Sequence, residues 1–62
     1  MKTPFITLTS EDREKLLMFN VRQISSIVDG GDRHSTVIMR NGDTYHVFED
    51  IPEITEYLGD AQ

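Results

Sequence analysis

The sequence predicts a small α+β domain: an antiparallel β-sheet of about five strands followed by one C-terminal α-helix. Three observations predict it. Short runs rich in β-branched and aromatic residues recur from Phe5 to Phe48, an Asn41-Gly42 pair joins two of them, and Asp50-Ile51-Pro52-Glu53 opens an amphipathic stretch that ends at Gly59. With 62 residues the chain is a single domain covering 1–62. A chain of this size buries only roughly 60% of its unfolded surface.

Pro4 has no amide hydrogen to give to a sheet and belongs just ahead of a strand, after a frayed start at 1–3. Phe5-Ile6-Thr7-Leu8-Thr9 predicts the first strand. Ser10-Glu11-Asp12-Arg13-Glu14 is polar and predicts a turn, although Ser10 ahead of Arg13 to Leu17 is also an arrangement that caps a helix. On the turn reading, Lys15 to Phe19 is the second strand of a hairpin. Asn20 then turns the chain through a Val21-Arg22-Gln23 corner into a third strand, Ile24 to Asp29. Strict alternation there sets Ile24, Ser26 and Val28 against Ser25 and Ile27, so neither face is cleanly polar.

Gly30-Gly31-Asp32-Arg33-His34 reads as a loop, the segment most open to motion, because glycine reaches backbone angles closed to other residues. Ser35 to Arg40 and Thr44 to Phe48 form a second hairpin around Asn41-Gly42, a pair suited to a type I′ turn with positive φ at both central positions. Asp50 caps the helix, Pro52 sits in its first turn, and Glu53 completes an Asp-x-x-Glu box. Ile51, Ile54, Tyr57 and Leu58 share one stripe, Gly59 ends the helix, and Asp60-Ala61-Gln62 is a loose tail.

Composition removes several function classes. Eleven acidic residues against six basic ones give a net charge of -5, and the basic residues are scattered, so no stripe can neutralise phosphates and nucleic acid is disfavoured. No apolar run approaches the roughly 20 residues of a membrane span, and no apolar core of a signal peptide stands at the N-terminus. A cytoplasmic location is expected. Without cysteine there is no disulfide, and two histidines without a thiolate argue against structural zinc. Oligomerisation is the support that remains for so small a core. A homo-oligomer, dimer or higher, is therefore expected.

No arrangement of residues predicts catalysis. Ser25, Ser26 and Ser35 lack elbow glycines and a paired base. His34 and His46 belong to no ligand-spaced motif, the acidic cluster Glu49, Asp50, Glu53 and Glu56 is explained in part by the helix cap, and no cofactor or metal is expected. Strands carrying apolar groups on both faces leave Ile27, Ile38, His46 and Phe48 as candidates for a subunit interface. Arg22, Arg33 and Arg40, with Gly30, Gly31 and His34, could hold an anionic, nucleotide-like ligand between subunits, since arginine contacts phosphate in a bidentate manner.

Ile6-Thr7-Leu8-Thr9, Phe19-Asn20 ahead of Ile24 and Ile27, Thr36-Val37-Ile38, Asn41-Gly42, then Tyr45, Val47, Glu49 and Ile54 give a pattern that resembles the FlbD/SwrD family of small flagellar-operon proteins over residues 5–58. Members of that family carry an Asn-Gly turn in the first hairpin, where this chain has Ser10-Glu11-Asp12-Arg13. They also connect the middle strands more tightly. The resemblance implies a non-enzymatic accessory protein of a bacterium or its phage that acts through protein contacts, with no catalytic residues to carry over. The expected function is thus a homo-oligomeric protein-interaction module, and the alternative is a small-ligand binder that sequesters a nucleotide-like anion.

Overall fold

Short β-branched runs between polar turns give five strands, and one capped amphipathic stretch gives the helix, in the order β1 (Phe5–Thr9), β2 (Leu16–Asn20), a single 3-10 turn (Val21–Gln23), β3 (Ile24–Gly31), β4 (His34–Met39), β5 (Thr44–Val47) and α1 (Ile51–Asp60). This computed structural model describes residues 4–60; the expected frayed start at 1–3 and the tail residues Ala61 and Gln62 lie outside the described residues. The strands do not form the single sheet that the sequence predicts. They divide into an antiparallel β1-β2 hairpin and a three-stranded antiparallel sheet in the order β3-β4-β5.

The polar segment after β1 is a turn. The Ser10 hydroxyl donates to Asp12 Oδ1 and accepts from the Lys15 amide at 3.1 Å, while Asp12 Oδ1 also accepts from the Glu14 amide at 3.0 Å. These bonds, the Ser10 hydroxyl first, hold the Asp12 carboxyl below its usual range. Side chains thus take the amides that a helix would have used. In the hairpin, Ile6 opposes Phe19 and Leu8 opposes Leu17. Alternation turns those four inward, and leaves Phe5, Thr7, Leu16 and Met18 outside.

β3 departs from strict alternation at two places. Between Ile24 and Ser26, and again between Asp29 and Gly31, one residue has no counterpart on β4, so Ser25 and Gly30 are single-residue bulges. The bulge at Ser25 brings Ile24 and Ile27 to the same side, where both pack against the core. The expected five-residue loop is a two-residue turn: Gly31 pairs with His34, and Asp32 and Arg33 take φ of 49° and 65°, the left-handed pair that a type I′ turn requires. Asn41-Gly42 does something else. Gly42 is left-handed at φ 97°, Asn41 is not, and Gly42 N donates to Met39 O while Met39 N donates to Asp43 O. The connection is a three-residue loop with glycine in the final, left-handed place, and Asn41 Oδ1 secures it by accepting from the Asp43 amide at 2.9 Å.

The core is Ile6, Leu8, Phe19, Val37, Val47 and Ile54, contributed by both sheets and by α1. Asp50 Oδ1 accepts from the Glu53 amide at 3.0 Å and starts the helix as expected. Glu53 turns its own carboxylate to the Tyr57 hydroxyl at 3.1 Å, a bond that holds the Tyr57 phenol above its usual value. Gly59 keeps a helical backbone and α1 runs on to Asp60, so the glycine is not the terminator that the sequence predicts.

The two sheets meet where β1 and β5 end. One bridge pairs Ser10 with Val47, and Phe48 N donates to Thr9 O at 2.8 Å. Beyond it the chain turns into α1, and Glu49 takes over the strand's role: its carboxylate accepts from the Thr9 amide at 2.9 and 3.0 Å and from the Thr9 hydroxyl at 2.8 Å. At 6% exposure it is one of the two buried polar residues among the described residues. Glu49→Ala strands the Thr9 amide, a loss of about 2 kcal/mol for a part-buried donor bonded to a charged group. We expect its thermal midpoint to fall by roughly 10 °C, with Glu49→Gln, which keeps one acceptor, falling less. Differential scanning calorimetry of the two variants beside the parent checks both expectations.

Candidate interaction surface

The register fixes which side chains the sheets turn outward. On the three-stranded sheet, Ile38 lies between Ser26 and Thr44, and Thr36 lies between Val28 and His46. The Thr36 hydroxyl and His46 Nδ1 are 3.0 Å apart across this face. Ile38, His46 and Phe48 therefore share the outer side. Ile27, expected with them, opposes Val37 and packs on the core, because the Ser25 bulge reverses its facing.

Around Phe48 the structure assembles residues that the sequence keeps far apart. The His34 ring lies 5.5 Å from the Phe48 ring, the Arg13 guanidinium stands 5.1 Å above the same ring, and His34 Nδ1 is 3.6 Å from Glu11 Oε2. Glu11 and Arg13 reach this place because Glu11 N donates to His46 O, which lays the first turn against β5. Neither residue was a candidate from sequence. The only available signal was the polar turn itself, and nothing in its composition says which strand it meets.

The three arginines do not converge within one chain. Arg40 N donates to Gln23 O at 2.8 Å, placing Arg40 and Arg22 at one end of the β3-β4 hairpin. Arg33 sits in the turn at the other end, roughly 20–25 Å away at the rise of an extended strand. Gly30 is a bulge residue, and the Gly31 amide is taken by Asp29 Oδ1 at 2.8 Å, so that amide is not free for a phosphate. Ser35 is buried, and its hydroxyl has no hydrogen-bond partner among the described residues, which leaves it without a base.

The two most exposed large apolar groups among the described residues, Leu16 and Met18, lie elsewhere, on the outer face of the β1-β2 hairpin, with Phe5 on the same face. Leu16 is 74% exposed, Met18 69% and Phe5 42%. Leu17 and Phe19 point inward from the same strand, so β2 is apolar on both faces, the character of a strand in the middle of a sheet. It is nevertheless at an edge, paired only with β1 among the described residues. A cavity of about 260 Å³ runs beside it, bordered by Leu16 to Asn20, Met39 and Tyr45. A second groove of about 360 Å³ separates α1 from β3, with Val21, Ile24, Ile27 and Leu58 on its walls. Sequence reasoning placed Leu16 to Phe19 in a strand and missed it as a surface; four apolar residues in succession were the signal.

No helix among the described residues is long and apolar enough to cross a membrane. Comparison of the chain with protein-family models, with curated proteins and with solved structures finds no match.

Arg33 holds a left-handed backbone in which its Cβ crowds the following carbonyl, a strain of about 1 kcal/mol that glycine does not carry. Arg33→Gly gives back part of this gain through the larger freedom of the unfolded chain. A net rise in stability of roughly 0.5 kcal/mol is expected, read as an upward shift of the urea midpoint at unchanged slope.

Proposed function

We propose that this chain is a non-enzymatic protein-interaction module that associates with itself, an accessory protein of the FlbD/SwrD kind from a bacterium or its phage. The observation that carries the reading is the outer face of the β1-β2 hairpin, where Phe5, Leu16 and Met18 stand exposed together. Apolar side chains grouped on a sheet face, on a chain too short to bury a large core, gain about 25 cal/mol per Å² when another surface covers them. The groups with chemical potential are engaged in structure. His46 is bonded to Thr36, His34 lies between Glu11 and Phe48, and Glu49 and Asp50 hold the junction and the helix start. The FlbD/SwrD part of the reading rests on the sequence resemblance that includes Thr36-Val37-Ile38 and Asn41-Gly42.

Sedimentation equilibrium over a range from micromolar to sub-millimolar protein tests the self-association. A weight-average mass that rises with concentration above the 7.1 kDa of one chain is the expected result. A mass of 7.1 kDa throughout the range overturns the reading.

A further inference from the structure

We infer that two copies of this chain pair through the free edge of β2, antiparallel and centred on Met18, so that the two hairpins form one continuous four-stranded sheet. The inference rests on the reading of the chain as a self-associating module and names the surface it uses.

Backbone hydrogen bonding is the first argument. Ser10 N donates to Lys15 O at one end of the hairpin and Val21 N donates to Pro4 O at the other. In an antiparallel pair the bonded residues alternate, so Lys15, Leu17, Phe19 and Val21 turn their amides and carbonyls toward β1. Leu16, Met18 and Asn20 turn theirs toward the open side. Pairing centred on Met18 sets Leu16 opposite Asn20 of the second copy, Met18 opposite Met18 and Asn20 opposite Leu16. Every outward group then meets an outward group in an isologous contact. On the inner side Leu17 comes opposite Phe19.

Charge is the second. The chain carries -5 overall, yet no acidic residue occurs from Lys15 to Val28, so two acidic molecules can approach at this strand without facing carboxylates.

The third argument is the contrast between the two free edges. β3 carries two bulges and an aspartate at position 29, devices that block edge pairing. β2 has none of them: its register is unbroken, and it holds neither proline nor charge.

The chain lacks cysteine, so a single introduced thiol reports one position. In a hydrogen-bonded antiparallel pair opposing Cα atoms lie about 5.5 Å apart, within the span of a disulfide. Met18→Cys under mild oxidation is expected to give a disulfide-linked dimer, and Val28→Cys, equally a strand residue and 45% exposed, to stay monomeric on a non-reducing gel. Met18→Lys, at an exposed site, is expected to keep its far-ultraviolet circular dichroism and to sediment as one chain. If the parent protein is a dimer that Met18→Lys leaves intact, or if Val28→Cys links and Met18→Cys does not, the β2 pairing is overturned while self-association stands. If the parent is a monomer at every concentration, both fall together.

Discussion

The bond between the Glu49 carboxylate and Thr9 is the interaction on which the arrangement of this fold depends. β1 and β5 overlap by one bridge, too little to join a hairpin to a three-stranded sheet, and the next position on β5's side is occupied by a side chain instead of a strand. A carboxylate can serve there because its two oxygens accept the amide and the hydroxyl of one threonine together. Glu49 is followed at once by Asp50, whose side chain starts α1. One dipeptide therefore closes the sheets and launches the helix that places Ile54 in the core with Ile6 and Leu8.

Much of this was legible in the sequence, and the exceptions have physical causes. The strand runs, the Val21 to Gln23 corner and the Asp50 cap follow from local preferences, which act over a few residues and leave their mark in composition. The bulges do not. Nothing about Ser25 or Gly30 distinguishes an extra residue from a paired one, because a bulge is settled by which side chains the partner strand can bury. Once Ser25 is set aside, Ile24 and Ile27 agree on a single core-facing side, and Val28 is the apolar group that β3 keeps on the outer one. Glycine misled at two positions: Gly30 stays within β3 as a bulge residue and Gly59 stays helical, while Gly31, at φ 85°, adjoins the left-handed turn of Asp32 and Arg33. Glycine permits an unusual backbone without demanding one.

The surface was harder to read than the fold. The candidates Ile38, His46 and Phe48 do lie outward, while Glu11 and Arg13 join them through a contact set by the β1-β5 junction, a pairing between residues far apart in sequence, such as Glu11 with His46 and Ser10 with Val47. Arg22, Arg33 and Arg40 looked equivalent as isolated arginines, and the length of β3 separates them. The apolar edge at β2 was visible as a run of residues but not as an edge, because strand order is a property of the whole chain.

A junction built from one bridge and one carboxylate also divides the molecule dynamically. The amides inside each sheet are held by ladders several residues long, whereas the seam rests on the Glu11–His46 and Phe48–Thr9 backbone bonds and on Glu49. Local opening in a protein follows such lines of weakness, and its units tend to coincide with hairpins. By that principle the β1-β2 hairpin is the unit whose lifting would bare Ile6, Leu8 and Phe19 to water, and Glu49 stands on the seam that such an opening must break.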